Sequence, residues 1–259
     1  VNILKISAPG SERPWGAAAT LAHQWRLAVQ RDPVKYAKAA NQFFDILPIY
    51  MDQLFQGLDD AAKNQLDFPW AQVFDLTARA FSNLNSPAGQ EDFHVADKSA
   101  WIQACHSAGE LLKSGLRRGA GFIAFEHAAF VRSLISVLLD RAPLGPEIED
   151  FEERFARDTY LAAAATLRGS AVELCILWLF WLSKNDRSPT ATAPHTSLHA
   201  FPEITRAFET QMADQSLFGR VPRAVLGRYL GFLFYFGPDW TRGHIEQIFP
   251  AADDTLRCA

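Results

Sequence analysis

YLAAAATLRGSAVELCILWLFWLSK, residues 160–184, decides the fold. It holds no proline, and residues 174–182 form an unbroken nine-residue apolar run. A helix that is apolar on all sides is packed by neighbours on several faces. Arg168 and Glu173 interrupt the stretch, and a bilayer crossing needs roughly 20 apolar residues. The stretch therefore reads as the central core helix of a soluble all-α domain with no membrane partner.

Outward from this centre, helix follows helix. Trp15, Ala18, Ala19, Ala22, Trp25 and Val29 recur at three- and four-residue steps, which buries one face. Asp32-Pro33 is a restart signal, an N-cap followed by proline at the first helical position. The next helix carries Tyr36, Ala40, Phe43, Phe44 and Leu47 and stops before Pro48; a shorter one holds Tyr50, Leu54 and Leu58. Asp67-Phe68-Pro69 repeats the signal, and behind it Trp70, Val73, Phe74, Thr77 and Phe81 share a side. A long helix with Trp101, Ala104, Cys105, Ala108, Leu111, Leu112 and Leu116 ends at Gly119 and Gly121, and residues 122–140 form its expected antiparallel partner. The acidic stretch 146–158 reads as an exposed helix or bridge. Three helices close the chain, over 201–214, 221–236 and 239–249.

That makes about ten helices in antiparallel pairs of roughly 35 to 47 residues each, the period of HEAT- or TPR-like solenoids. The expected architecture is an all-α solenoid or elongated helical array, favoured over a compact orthogonal bundle. The expected organisation is an N-terminal segment (1–14), a helical-repeat array (15–184), a polar linker with two prolines (185–200), a C-terminal helical segment packed on the array (201–250) and a tail (251–259). β-type alternation is confined to residues 1–6.

A content of 49% hydrophobic and 21% charged residues is globular and argues against general disorder. The net charge of −4 gives no support to a duplex-binding surface, which is usually basic. Cys105, Cys175 and Cys258 have no close spacing and read as structural thiols in a reducing cytoplasm. The chain starts at Val1 rather than Met, with no signal-peptide pattern, and is expected to be a piece of a longer protein.

No P-loop, GxGxxG, GxSxG or CxxC pair is present. His195, His199 and Glu203 have the four-residue step of metal ligands on a helix, but Pro194 and Pro202 bracket them, so they read as a polar loop. Cys105 and His106 point about 100° apart on a helix, too divergent for a nucleophile pair. Glu126-His127 lacks the second histidine of HExxH, since Val131 stands there. His23 beside Trp25, and His244 near Trp240, suggest packing. No metal, cofactor or catalytic residue is assigned, and the chain reads as a non-enzyme.

Two sets of residues remain. Lys113, Arg117 and Arg118 gather at a helix end, where cations oppose the negative end of the dipole. With Lys98 and Arg132 they form the candidate anion or nucleic-acid patch. Arg168-Gly169 is the other oddity, because glycine costs about 1 kcal/mol relative to alanine inside a helix. A close approach at Gly169 is expected, and a buried Arg168 needs a carboxylate, Asp158 or Glu173.

LPIYMDQLFQGL (47–58) with FPWAQVFDLTARAF (68–81), TLRGSAVELCILWLFWLSK (166–184), and residues 201–250 from FPEITRAF to HIEQIFP together carry a resemblance covering most of the chain. They resemble the helical C-terminal region of large bacterial multidomain proteins, including proteins that pair an N-terminal effector with a STAND-type ATPase in anti-phage defence. The matching features are Arg168-Gly169, Gly227-Arg228-Tyr229, and Trp240 with Ile248-Phe249-Pro250. The resemblance implies a recognition or regulatory region whose parent protein carries its activity elsewhere, and no active site is carried over. The leading expectation is a helical interaction module that binds a protein partner or its own parent chain. A nucleic-acid-binding module is the second reading. An enzyme assembled from distant helices around His106, Glu126 and His127 is the third.

Overall fold

Asp32 caps a new helix as its pattern predicts, accepting a hydrogen bond from the Lys35 backbone N–H at 3.2 Å, with Pro33 at the first helical position. The computed structural model describes residues 15–85, 95–117, 122–143, 150–185, 197–214 and 216–251. These residues contain thirteen α-helices and no β-strand, so the protein is all-α. Residues 1–14, most of the linker (186–196), Gly119, Gly121 and the tail from 252 lie outside the described residues. The chain divides into two compact units, Val1–Arg118 and Gly119–Ala259.

The first unit holds α1 (Trp15–Arg31), α2 (Pro33–Lys38), α3 (Pro48–Lys63), α4 (Ala71–Ser82) and α5 (Val95–Arg117). Its core comes from the apolar stripes: Trp70, Val73, Phe74, Thr77 and Phe81 are all buried, as are Ala104, Cys105, Ala108, Leu111, Leu112 and Leu116. Helix α3 stops where Gln65 turns to φ 67°, with Gln65 N–H bonded to Ala62 O and Leu66 N–H to Ala61 O. That is the Schellman arrangement without its usual glycine.

Helix α3 packs against both α1 and α5. Along α1, Arg26 meets Asp60 at 2.7 Å while Val29 presses on Gly57, where an added Cβ would lie 2.8 Å from Val29 Cβ. Rising on α1 means descending on α3, so this pair is antiparallel. The bond to Asp60, opposed in part by burial, raises the Arg26 guanidinium above its ordinary value. Toward α5 the order reverses. Ser107 Oγ donates to Asp52 Oδ1 at 2.6 Å and Ser114 Oγ to Asp59 Oδ1 at 2.5 Å, so the rungs advance together (52 to 59, 107 to 114). The α3–α5 pair is therefore parallel. All four residues are buried, and the two-turn spacing keeps them on one seam. Ser114→Ala is expected to lower stability by about 1.5–3 kcal/mol, the value of a hydrogen bond to a charged group. Urea unfolding of Ser114→Ala beside Ser133→Ala, whose hydroxyl only bonds the exposed Phe130 carbonyl, checks it.

The second unit holds α6 (Ala128–Arg141), α7 (Phe151–Arg157), α8 (Thr159–Ala164), α9 (Leu167–Asn185), α10 (Pro202–Ala213), α11 (Arg220–Arg228), α12 (Leu230–Phe236) and α13 (Pro238–Ile248). Helix α9 is its centre: α6, α8, α11 and α12 pack against it, and fourteen of its residues are buried on every side. No helix among the described residues is long and apolar enough to cross a membrane.

The single helix expected over 160–184 is two. The chain leaves α8 at Ala165 and re-enters at Leu167, because Thr166 turns the backbone. Its hydroxyl donates to Ala163 O at 2.7 Å and accepts from Gly169 N–H at 3.0 Å, capping α9 from outside. Gly169 thus lies in a first turn rather than mid-helix, and the close approach is Ala163: an added Cβ would sit 2.0 Å from its carbonyl oxygen. The expected 221–236 helix is also two, broken at Tyr229. Helix α7 shows its acids, Glu152 and Glu153, to solvent and buries Phe151 and Phe155.

Candidate functional site

Of the basic residues singled out in the sequence, Lys113 faces the core of the first unit. It is 1% exposed and pairs with Glu110 at 2.5 Å. Arg117 ends α5 and is exposed, Lys98 lies in the first turns of α5, and Arg118 is outside the described residues. Arg132 belongs to the second unit, where it joins α6 to α10. It is paired with Glu203 at 2.5 Å, and its guanidinium lies 5.1 Å from the Phe201 ring centroid.

The polar residues of α8 and α9 do assemble. Arg168 is buried and reaches Asp214 at 3.5 Å, a partner 46 residues away. Bonds from the Ser216 side chain and backbone N–H, reinforced by Arg168, hold the Asp214 carboxyl below the usual range. Arg223, also buried, donates to the carbonyls of Met212 at 2.5 Å and Asp214 at 3.2 Å, so two guanidinium groups fasten the end of α10. Asp158 is engaged elsewhere, capping α8 by accepting from Leu161 N–H at 2.9 Å.

Glu173 gathers two phenols on one oxygen. Tyr160 OH donates to its Oε1 at 2.9 Å and Tyr229 OH at 2.6 Å. Burial, and then the bond to Glu173, pushes the Tyr229 hydroxyl well above the ordinary tyrosine value. A carboxylate whose near oxygen is taken by two phenols, with Glu173 itself buried, is arranged to hold three helices together rather than to move a proton. The Gly227-Arg228-Tyr229 triplet thereby acquires three roles. A Cβ on Gly227 would lie 2.9 Å from Phe249 Cζ, Arg228 sits 5.6 Å over the Tyr160 ring, and Tyr229 reaches Glu173.

The remaining titratable groups sit in packing contacts. Cys105 Sγ bonds Ala80 O at 3.4 Å; Cys175 is buried, and burial pushes its thiol up. His127 Nε2 lies 3.8 Å from Glu126, whose side chain is largely exposed. His244 stacks on Trp240 with centroids 4.5 Å apart, and both meet Glu209. His199 is exposed and Glu203 serves Arg132; His195 lies outside the described residues. Among the described residues, no group of three or more His, Cys, Asp and Glu side chains is placed to hold a metal ion.

The surface of the second unit carries a feature of another kind. Helix α12, LGFLFYF, buries Leu233 and Phe236 but leaves Phe232 38%, Phe234 37% and Tyr235 59% exposed. Phe232 meets Phe180 of α9 edge-on at 5.1 Å and Tyr229 at 5.9 Å. Three exposed aromatic side chains within four residues are unusual for a surface with nothing to bind. Periodicity could not find them, because a helix this apolar reads as core throughout. Comparison with protein-family models, with curated proteins and with solved structures finds no match to this chain.

Proposed function

We propose that this chain is a non-catalytic helical recognition module that binds a protein partner through the aromatic face of α12. The observation that carries this reading is the exposure of Phe232, Phe234 and Tyr235 within four residues of α12. Aromatic residues are enriched where protein surfaces meet and supply the side chains whose loss costs most binding energy. The polar clusters support the same reading, since Glu173, Arg168 and Arg223 are engaged in holding helices together.

The module acts in the cytoplasm as a region of a larger bacterial protein of the defence or regulatory kind, and its partner is another protein or a domain of the parent chain. Within the second unit, α12 rests on α9 and leaves these aromatic side chains to solvent. The test is cross-linking in cells of the source organism with a photoreactive residue at position 235, and at exposed Lys38 as control. Cross-links from 235 to one protein, lost on Phe234→Ser, are expected. Equal yields from both positions overturn the proposal.

A further inference from the structure

Phe232, one of the exposed aromatic residues of α12, does not stand alone. It joins a run of ring contacts with a cation at either end. Lys184 Nζ lies 4.2 Å from the Phe180 centroid, and Phe180 meets Phe232 at 5.1 Å. Phe232 meets Tyr229 at 5.9 Å, Tyr229 meets Tyr160 at 6.3 Å, and Arg228 Cζ lies 5.6 Å from the Tyr160 centroid. Lys184 and Arg228 are exposed, and the described residues offer neither a carboxylate. Each rests on a ring face instead, an attraction worth about 0.5–1 kcal/mol at exposed sites. By contrast, Arg132 is held by Glu203, and Arg242 by Asp239 at 2.9 Å. Below the run, Glu173 fixes both phenol hydroxyls, so Tyr160 and Tyr229 are held in place before any ligand arrives, which lowers the ordering cost of binding.

We infer that the partner of this face is an acidic amphipathic peptide segment, with apolar side chains on Phe232 and its neighbours and carboxylates on Lys184 and Arg228. This rests on the recognition-module reading and specifies the chemistry of its partner. Charge complementarity selects the occupant, because Lys184 and Arg228 flank the aromatic run with only ring faces beside them, which leaves both cations to meet carboxylates. Single-stranded nucleic acid also stacks on aromatic side chains, but its affinity comes from many phosphate contacts at once. Two cations with the Glu173 carboxylate between them supply few, in a chain of net charge −4.

The test is fluorescence anisotropy of the full chain with three labelled 16-residue peptides of one Leu/Phe pattern. Their polar positions carry Glu, Gln or Lys; a 20-nucleotide oligo-dT is the fourth probe. The Glu peptide is expected to bind at least tenfold tighter than the Gln peptide. Lys184→Glu with Arg228→Glu abolishes that preference and improves binding of the Lys peptide. Arg31→Glu with Lys38→Glu, the same change in net charge on the first unit, leaves it intact. Equal binding of the Glu and Gln peptides overturns the acidic partner while leaving an apolar recognition face. Tighter, salt-sensitive binding of oligo-dT overturns it in favour of nucleic acid. Failure of every peptide also overturns it, and cross-linking from position 235 then decides separately whether a recognition face exists.

Discussion

Gly169→Ala is expected to lower the stability of the protein by about 3 kcal/mol or more, the upper part of the range for overpacking a buried site. An added Cβ would lie 2.0 Å from the Ala163 carbonyl oxygen. The oxygen is backbone and the Cβ is held rigidly on Cα, so no side chain can swing aside. Relief requires α8 and α9 to part at Thr166, which breaks the hydroxyl bonds to Ala163 O and from Gly169 N–H. At about 2–4 °C per kcal/mol for a chain of this size, the melting temperature falls by roughly 6–12 °C. Gly243→Ala is the matched control, because nothing lies within 4 Å of its Cβ position in α13. There the same methyl group is expected to stabilise by about 0.5–1 kcal/mol through helix propensity. Two glycine-to-alanine changes of opposite sign, read by thermal and urea denaturation, separate close approach from propensity. Loss of less than 1 kcal/mol on Gly169→Ala is incompatible with the packing described.

Glu173→Ala is expected to cost about 3 kcal/mol, since each hydrogen bond to a charged group is worth about 1.5–3 kcal/mol and both phenols lose theirs. Glu173→Gln keeps an acceptor and loses less. The pair also predicts an alkaline response. Tyr229 is held above the ordinary tyrosine value by burial first and by Glu173 second. Its contribution is therefore complete below the unfolded value of about 10. As pH rises beyond that, the unfolded chain releases the phenol proton while the folded chain keeps it, so stability declines with pH. Tyr229→Phe flattens that limb, and Glu173→Gln moves the phenol titration, read by absorbance near 295 nm, back toward the ordinary value. A titration indifferent to Glu173 contradicts the shared-oxygen geometry.

Burial along the chain was legible because it is written in local spacing. The stripe from Trp70 to Phe81 and the burial of seven of the nine residues 174–182 need only neighbouring residues to be seen. Gly169 was legible for the same reason, since an unfavourable residue in an apolar run implies a close approach. The identity of what approaches was not, because the helix break depends on the Thr166 hydroxyl choosing Ala163 O. Arg168 announced its need for a carboxylate, but Asp214 lies 46 residues on and Tyr229 lies 56 from Glu173. No spacing rule spans such distances. Lys113 reads as a surface cation beside Arg117, yet residues 111–116 are buried all round, so its stem joins the core and its ammonium turns back to Glu110. The Asp52/Asp59 and Ser107/Ser114 rungs left a trace in their matching seven-residue steps, a signal visible only when the two helices are considered together.

The parallel seam between α3 and α5 has a consequence during synthesis. Each rung joins residues 55 apart, and chains emerge from the ribosome at about 5–20 residues per second. The aspartates therefore precede their serines by several seconds, a long interval for a helix that forms in about a microsecond. Asp52 spends it with Gln53 and Gln56, and Asp59 with Lys63, all within one turn of α3. The nascent helix carries temporary custodians for both carboxylates, drawn from its own next turn. When α5 arrives, the serine hydroxyls add to these bonds rather than replace them, so the late partner docks onto a helix whose charges are already in place.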